Sequence, residues 1–147
     1  MQVRELTPDE FSLAYDAMSC LRPHLASREE FVKRATRQAE SGYRIVAAFA
    51  DDGDPLAPAV GAAGFRFIEN LAWGRFCYID DLIVVPTARR QGHAVALLAW
   101  IDEAARAAGM DEVHLDSGVQ AERLDAHRRY FNAGYRITSY HFAKVPG

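Results

Sequence analysis

The run Tyr78-Ile79-Asp80-Asp81-Leu82-Ile83-Val84-Val85-Pro86, followed by Thr87-Ala88-Arg89-Arg90-Gln91-Gly92-His93-Ala94, decides how the rest of the chain is read. Its first half is β-rich, carries two adjacent acids and stops at a proline, so residues 76–85 read as a strand. Its second half is a polar loop that ends in glycine. From His93 the apolar residues return at helical spacing, with Leu97, Ile101, Ala104 and Ala108 on one stripe and Gly109 as the stop. A glycine at a strand–loop–helix junction turns the chain tightly and lets a ligand approach the backbone. The first turn of a helix presents N–H groups without intrahelical partners at the positive end of its dipole. That combination suits an anion such as a pyrophosphate, and Arg89 and Arg90 add positive charge beside it. The plainer alternative is a loop glycine flanked by solvated arginines, because short glycine motifs recur by chance.

The same residues exclude two other phosphate-binding loops. A Walker A loop carries Lys and Ser or Thr after its last glycine, whereas Gly92 is followed by His93 and Ala94. A dinucleotide-type GxGxxG is absent, and such a loop would follow the first strand of a βαβ unit.

Upstream, residues 2–6 read as a short strand. Thr7-Pro8-Asp9-Glu10 then reads as a helix start, with Thr7 as N-cap, proline at the first helical position and Glu10 closing a capping box. This helix should run to about residue 21, before Pro23. Ser27-Arg28-Glu29-Glu30 repeats the capping signal for a helix reaching Glu40 and ending at Gly42. Residues 43–50 are β-rich, Asp51-Asp52-Gly53-Asp54-Pro55 is a turn, residues 60–68 form a strand, and residues 70–74 form a second turn. Downstream, residues 112–116 are a short strand, residues 121–133 a helix closed by Gly134, and residues 135–142 a last strand. The order β-α-α-β-β-β-α-β-α-β is that of an α+β, or mixed α/β, single domain over residues 1–147.

Composition agrees. The chain has 147 residues, 50% of them hydrophobic and 25% charged, a core-forming balance. At this length about two-thirds of the unfolded surface is buried on folding, so neither a metal nor a disulfide is needed. A net charge of −3 argues against general nucleic-acid binding, and no nucleic-acid partner is expected. Cys20 and Cys77 form no CxxC pair and are expected to stay reduced. The five histidines show no metal-ligand spacing, so no metal is expected. The N-terminus lacks an apolar leader core and no apolar run is long enough to span a membrane, which points to the cytoplasm and to no membrane partner.

The quoted run resembles the acetyl-CoA motif of the GNAT superfamily of N-acetyltransferases. The family pattern Q/R-x-x-G-x-G/A is matched by Arg89, Gly92 and Ala94. A second match lies downstream, where Ala126-His127-Arg128-Arg129-Tyr130-Phe131-Asn132-Ala133-Gly134-Tyr135 is similar to the family's AH-x-x-Y-x-x-x-G-F/Y helix. The resemblance implies a central, mostly antiparallel twisted sheet, splayed after its fourth strand and flanked by about four helices. It also implies that acetyl-CoA is the co-substrate. The backbone of Leu82, Ile83, Val84 and Val85 would bind the pantetheine arm as an added strand would. The turn at Arg89, Arg90, Gln91, Gly92, His93, Ala94 and Val95 would hold the pyrophosphate. The side chain of His93 is not required for this, and it is read as an exposed flank before a weak phosphate contact.

Tyr130 matches the family tyrosine near the thioester sulfur. A phenol with an ordinary pKa of about 10 can protonate a leaving thiolate and be restored at neutral pH. The acceptor amine must lose a proton, which costs about 4 kcal/mol at pH 7 for an amine of pKa near 10. Family members often relay that proton through water to a carboxylate on the strand before the loop. Asp80 is the first choice for that base, and Asp81 is read as a cation-binding or structural carboxylate. Strand alternation puts the two on opposite faces, with one of them in the cleft. Two adjacent acids in an apolar strand are expensive to bury idle.

Ser117 follows the next strand, where it holds a substrate or cofactor carbonyl or caps the turn. His127 reads as packing or capping. Glu69 is a further candidate for binding a cationic acceptor, and Trp73 and Phe76 wall the pocket or staple the hairpin. The expected activity is acetyl transfer from acetyl-CoA to a primary amine by direct attack in a ternary complex. The alternatives are a non-catalytic acyl-CoA sensor and a transferase of longer acyl groups. The acceptor is a small-molecule or peptide amine, with the acids Glu69, Asp80, Asp81 and Asp116 leaning toward a cationic one. Homodimers are frequent among the relatives that the resemblance implies.

Overall fold

A computed structural model describes residues 1–50 and 53–147. The expected turn at Asp51-Asp52-Gly53-Asp54-Pro55 falls partly outside them. The chain divides into two compact units, Met1–Leu115 and Asp116–Gly147. Among the described residues they carry five strands and four α-helices, a mixed α/β fold.

The first unit is a single five-stranded sheet in sequence order. It contains β1 (Gln2–Leu6), β2 (Arg44–Phe49), β3 (Gly61–Asn70), β4 (Gly74–Val84) and β5 (Glu112–Leu115). The first four strands pair antiparallel, and β4 pairs parallel with β5. Every residue of β2 after Arg44 is buried, because helices cover both faces of the sheet. Ile45, Ala47 and Phe49 join Leu6, Phe11, Met18 and Phe31 in one apolar cluster. On a fully buried side chain of this size, removal from water contributes about 1.5–3 kcal/mol. α3 (His93–Ala107) packs on β2, β3 and β4. Small residues fill the middle of the sheet: Ala47, Ala48, Ala62 and Ala63 are fully buried. A Cβ on Gly61 would stand 3.2–3.3 Å from the Ile83 carbonyl, Leu97 and Val84.

The expected first helix is two pieces. Residues Pro8–Ala14 wind as a 3-10 helix and α1 follows at Tyr15–Leu21. Glu10 does reach back, accepting from the Thr7 N–H at 3.1 Å. α2 (Arg28–Ala39) starts as expected, with the Ser27 hydroxyl accepting from the Glu30 N–H at 3.1 Å. The buried residues of α3 include Leu97, Leu98, Ile101 and Ala105, while Ala104 on the same face is half-buried and Ala108 is the C-cap. Among the described residues no helix is long and apolar enough to cross a membrane.

The second unit holds a short 3-10 turn (Ala121–Arg123) and α4 (Leu124–Asn132). The expected last strand, residues 135–142, is not formed. Its residues are β-prone, but a strand exists only through ladder bonds to a neighbour, and within this unit the segment has none. Ile137, Tyr140 and Phe142 are exposed.

Between Ile79↔Phe65 and Asp81↔Gly64 the β3–β4 register shifts, leaving Asp80 as the extra residue of a β-bulge. Opposite the bulge, Gly64 leaves room for the ring of Tyr43. A Cβ there would collide with the phenol and its ring carbons. Gly64→Ala should therefore cost about 1–3 kcal/mol, as overpacking does, read as a lower Tm in thermal denaturation. A variant as stable as the parent would contradict the close approach.

Candidate active site

β5 pairs with β4 only from Phe76↔Glu112 to Ile79↔Leu115. From Asp80 to Val84, β4 keeps β3 on one side and has no β5 partner on the other. The Val85 N–H donates to the Val60 carbonyl at 2.8 Å. In an antiparallel pair successive residues aim their backbone groups alternately at the partner and away from it. Leu82 and Val84 therefore present N–H and C=O to the open edge, and Ile83 and Val85 present theirs to β3.

The chain then turns through Pro86–Ala88 into the loop. Gly92 is the N-cap of α3 with φ +85°, a left-handed conformation that costs other residues about 1–2 kcal/mol. Space is not the reason for the glycine, since a Cβ there would meet only the Met1 methyl at 3.9 Å. Arg90 is also left-handed, with φ +63°. The first intrahelical bond runs from the Ala96 N–H to the Gly92 carbonyl, 3.0 Å. The N–H groups of His93, Ala94 and Val95 precede that ladder and stand at the positive end of a 15-residue helix. Arg89, Arg90, Gln91 and Val95 are exposed, and neither arginine is ion-paired among the described residues. His93 departs from expectation. It is 4% exposed, and neither ring nitrogen has a hydrogen-bond partner. Its position four residues before Leu97 and eight before Ile101 puts it on the core stripe of α3 rather than on an exposed flank.

A cavity of about 360 Å³ lies between α2, the loop after α1 and the bulged part of β4. Asp80 and Asp81 both line it, contrary to the expected alternation, because the bulge interrupts the pleat between them. Each is clamped differently. Asp81 accepts from Arg22 Nε at 3.0 Å on Oδ1 and from the Tyr43 hydroxyl at 2.7 Å on Oδ2. Burial, then the Asp81 charge, pushes the Tyr43 phenol well above its usual range, so it stays a donor. Asp80 accepts from Arg66 Nε at 2.8 Å on Oδ2. Arg66 is braced in turn, donating to Gln38 Oε1 at 2.7 Å, with its guanidinium over the Tyr43 ring. Arg22 also donates to the Asp80 carbonyl at 3.0 Å. The second carboxylate oxygen of Asp80 makes no hydrogen bond among the described residues. Burial raises the Asp80 pKa, and Arg66 offsets that only in part.

Glu69 and Trp73 lie elsewhere in the first unit. Glu69 is exposed at the far end of β3, opposite Arg75, and does not line the cavity. Trp73 stacks on His114 at 4.0 Å and meets Phe76 edge-on, stapling the hairpin to β5 rather than walling the cavity. In the second unit, Ser117 stands 3.1 Å from His127 Nε2, which donates to the Gly118 carbonyl at 2.7 Å. Tyr130, on α4, is 8% exposed and meets Tyr135 edge-on. Cys20 and Cys77 are both free thiols, and burial pushes Cys77 up to about 12. Among the described residues no group of three or more His, Cys, Asp or Glu side chains is placed to hold a metal ion.

The model of the acetyltransferase (GNAT) family matches residues 3–135. The chain belongs to the GNAT family. An uncharacterized N-acetyltransferase of Bacillus subtilis is 33% identical over 98% of both chains. An aminoalkylphosphonate N-acetyltransferase of Salmonella typhimurium is 39% identical over 67 residues, which span 46% of this chain and 42% of that protein. Among solved structures, an aminoglycoside N-acetyltransferase in complex with CoA superposes with a TM-score of 0.81 over 99% of this chain and 93% of its own, at 15% identity. That likeness shows the GNAT fold. The GNAT motifs drew attention to the acids and the glycine turn but not to their partners. Arg22, Gln38, Tyr43 and Arg66 were missed because they arrive from distant sequence. The one local signal was Gly64, a glycine inside a strand pattern, which marks a bulge or a close approach.

For Asp80 the pH dependence has a definite sign. A carboxyl whose folded pKa is raised contributes stability below its unfolded pKa, and that contribution is lost as pH rises through the folded value. Carboxyl-carbon NMR should place the Asp80 midpoint above the ordinary 3.8, and Arg66→Gln should move it further up. A midpoint at or below 3.8 would contradict the burial assigned to it.

Proposed function

We propose that the chain is one acetyltransferase domain that moves the acetyl group of acetyl-CoA to a primary amine by direct attack in a ternary complex. The observation that carries this is the Gly92 junction. Its left-handed turn leaves three helix-start amides without intrahelical partners beside two exposed arginines, inside a GNAT match over residues 3–135. Those amides suit a pyrophosphate. The free edge at Leu82 and Val84 suits an extended amide-bearing arm, which would bind as an added strand does.

The amine nitrogen attacks the thioester carbonyl carbon. A C–N bond forms, and the oxyanion is met by a backbone N–H near Val84. Asp80, through water, takes the ammonium proton on its unbonded oxygen. Its raised pKa makes it a better base than a surface carboxylate. Asp81, with both oxygens engaged, orients the floor of the cavity rather than moving protons. The C–S bond then breaks, and Tyr130 donates its proton to the departing sulfur. Its place in the AH-x-x-Y match supports that role. Cys77, buried and held as the thiol, is a poor nucleophile, which favours direct transfer over an acetyl-enzyme.

Calorimetry with acetyl-CoA, CoA and longer acyl-CoAs tests the first half, and binding of none of them sinks the proposal. Gly92→Glu should abolish acetyl-CoA binding through backbone strain and repulsion of phosphate, and a variant that binds normally removes the turn assignment. Tyr130→Phe should lower kcat by about 10²-fold while leaving acetyl-CoA affinity nearly unchanged, with stopped-turnover and binding measurements separating the two.

A further inference from the structure

We infer that the acceptor is a small primary amine that also carries an anionic group, an amino acid or aminoalkyl phosphonate in type, with its anion held by Arg34. This rests on the acetyltransfer reading and narrows it. The charges that line the cavity are two acids and two arginines, not an excess of acid. Asp80 and Asp81 sit deep, their side chains 23% and 14% exposed. Arg22 and Arg34 sit toward the mouth, 42% and 43% exposed, with the exposed His24 nearby on the loop after α1. The acids therefore lie on the floor and the arginines toward the rim, where Glu30 pairs with Arg34.

The acids on the floor are also less available to a cation than their number suggests. Arg22 and Tyr43 occupy both oxygens of Asp81, and Arg66 occupies one of Asp80. What remains is one carboxylate oxygen, enough for one amine. A polycationic acceptor finds no second negative site on the floor, and at the rim it meets arginine. This changes the lean toward a purely cationic acceptor that the count of nearby acids suggested.

Arg34 is the better anchor of the two arginines. Arg22 spends Nε and Nη2 on Asp81 and on the Asp80 carbonyl. Arg34 spends only Nη2, on Glu30 one turn earlier along α2. Exposed pairs of that kind contribute little and yield to a better anion. A free guanidinium edge holds a carboxylate or phosphonate through two parallel bonds. The cavity volume, about 360 Å³, is at the small end of ligand sites. It suits a compact acceptor of this kind rather than a peptide or an oligosaccharide.

The test is CoA release with acetyl-CoA and four short amines of similar length: β-alanine, 2-aminoethylphosphonate, propylamine and 1,3-diaminopropane. The expected result is a kcat/KM for the better anionic amine at least about tenfold above those of propylamine and the diamine. Comparing the carboxylate with the phosphonate shows which anion the rim prefers. Arg34→Gln should bring the ratio of anionic to neutral amine toward one. Arg34→Glu should invert the preference, raising kcat/KM for the diamine, a gain that misfolding cannot produce. Equal or better turnover of propylamine or the diamine by the parent enzyme overturns the inference while leaving acetyltransfer intact, as does an unchanged ratio in Arg34→Gln. If acetyl-CoA binds but none of the four amines is acetylated, this inference is overturned, whereas the acetyltransfer reading stands or falls on the acyl-CoA binding and the Gly92 and Tyr130 variants.

Discussion

One extra residue in β4, opposite the step from Gly64 to Phe65, determines where the polar groups of the first unit go. In an unbroken strand Asp80 and Asp81 would face opposite sides of the sheet, and one of them would meet the apolar packing under α3. The bulge turns both toward α1 and α2, where Arg22, Tyr43 and Arg66 converge on them and Gln38 braces Arg66. Taking two neighbouring carboxylates partly out of water costs several kcal/mol per ion unless partners restore what water gave. The partners divide that work unequally. Asp81 is saturated, whereas Asp80 keeps one oxygen unengaged and a raised pKa. An inequality between adjacent acids is what acid–base chemistry on one of them requires.

The same strand carries the second constraint. Beyond Ile79 it loses β5, and half of the backbone groups of the following residues lose a ladder partner. Unpaired backbone donors and acceptors are costly when buried and adhesive when open. The chain reaches the Gly92 turn directly after this open stretch. A row of free amides on a strand edge thus leads into a cluster of free amides at a helix start. His93 supports the junction from beneath. Its apolar seat fixes the first turn of α3 against the core while the adjoining amides stay outside.

Features governed by nearest neighbours were legible in the sequence. Ser27 and Glu30 announced α2, Gly109 and Gly134 announced helix ends, and the two glycine-bearing motifs announced the family. Features that depend on distant contacts were not. Arg22 meets Asp81 across 59 positions and Tyr43 meets it across 38. The alternation rule failed at Asp80 because a bulge is a property of two strands in register, although Gly64 hinted at it. His93 is placed by the helical period rather than by the loop, since it stands four residues before Leu97 and eight before Ile101. The segment from residue 135 to 142 has strand composition, but within its own unit it finds no strand to pair with.

The small-residue middle of the sheet has a consequence for how this protein can change. At Ala47, Ala48, Ala62, Ala63 and Gly61 there is little side-chain volume to remove, all four alanines are fully buried, and a Cβ on Gly61 would already stand 3.2–3.3 Å from its neighbours. Sequence drift there is held from both sides. Adaptation to a new acceptor is thereby channelled to cavity positions that hold neither the acids nor the core, such as His24 and Arg34.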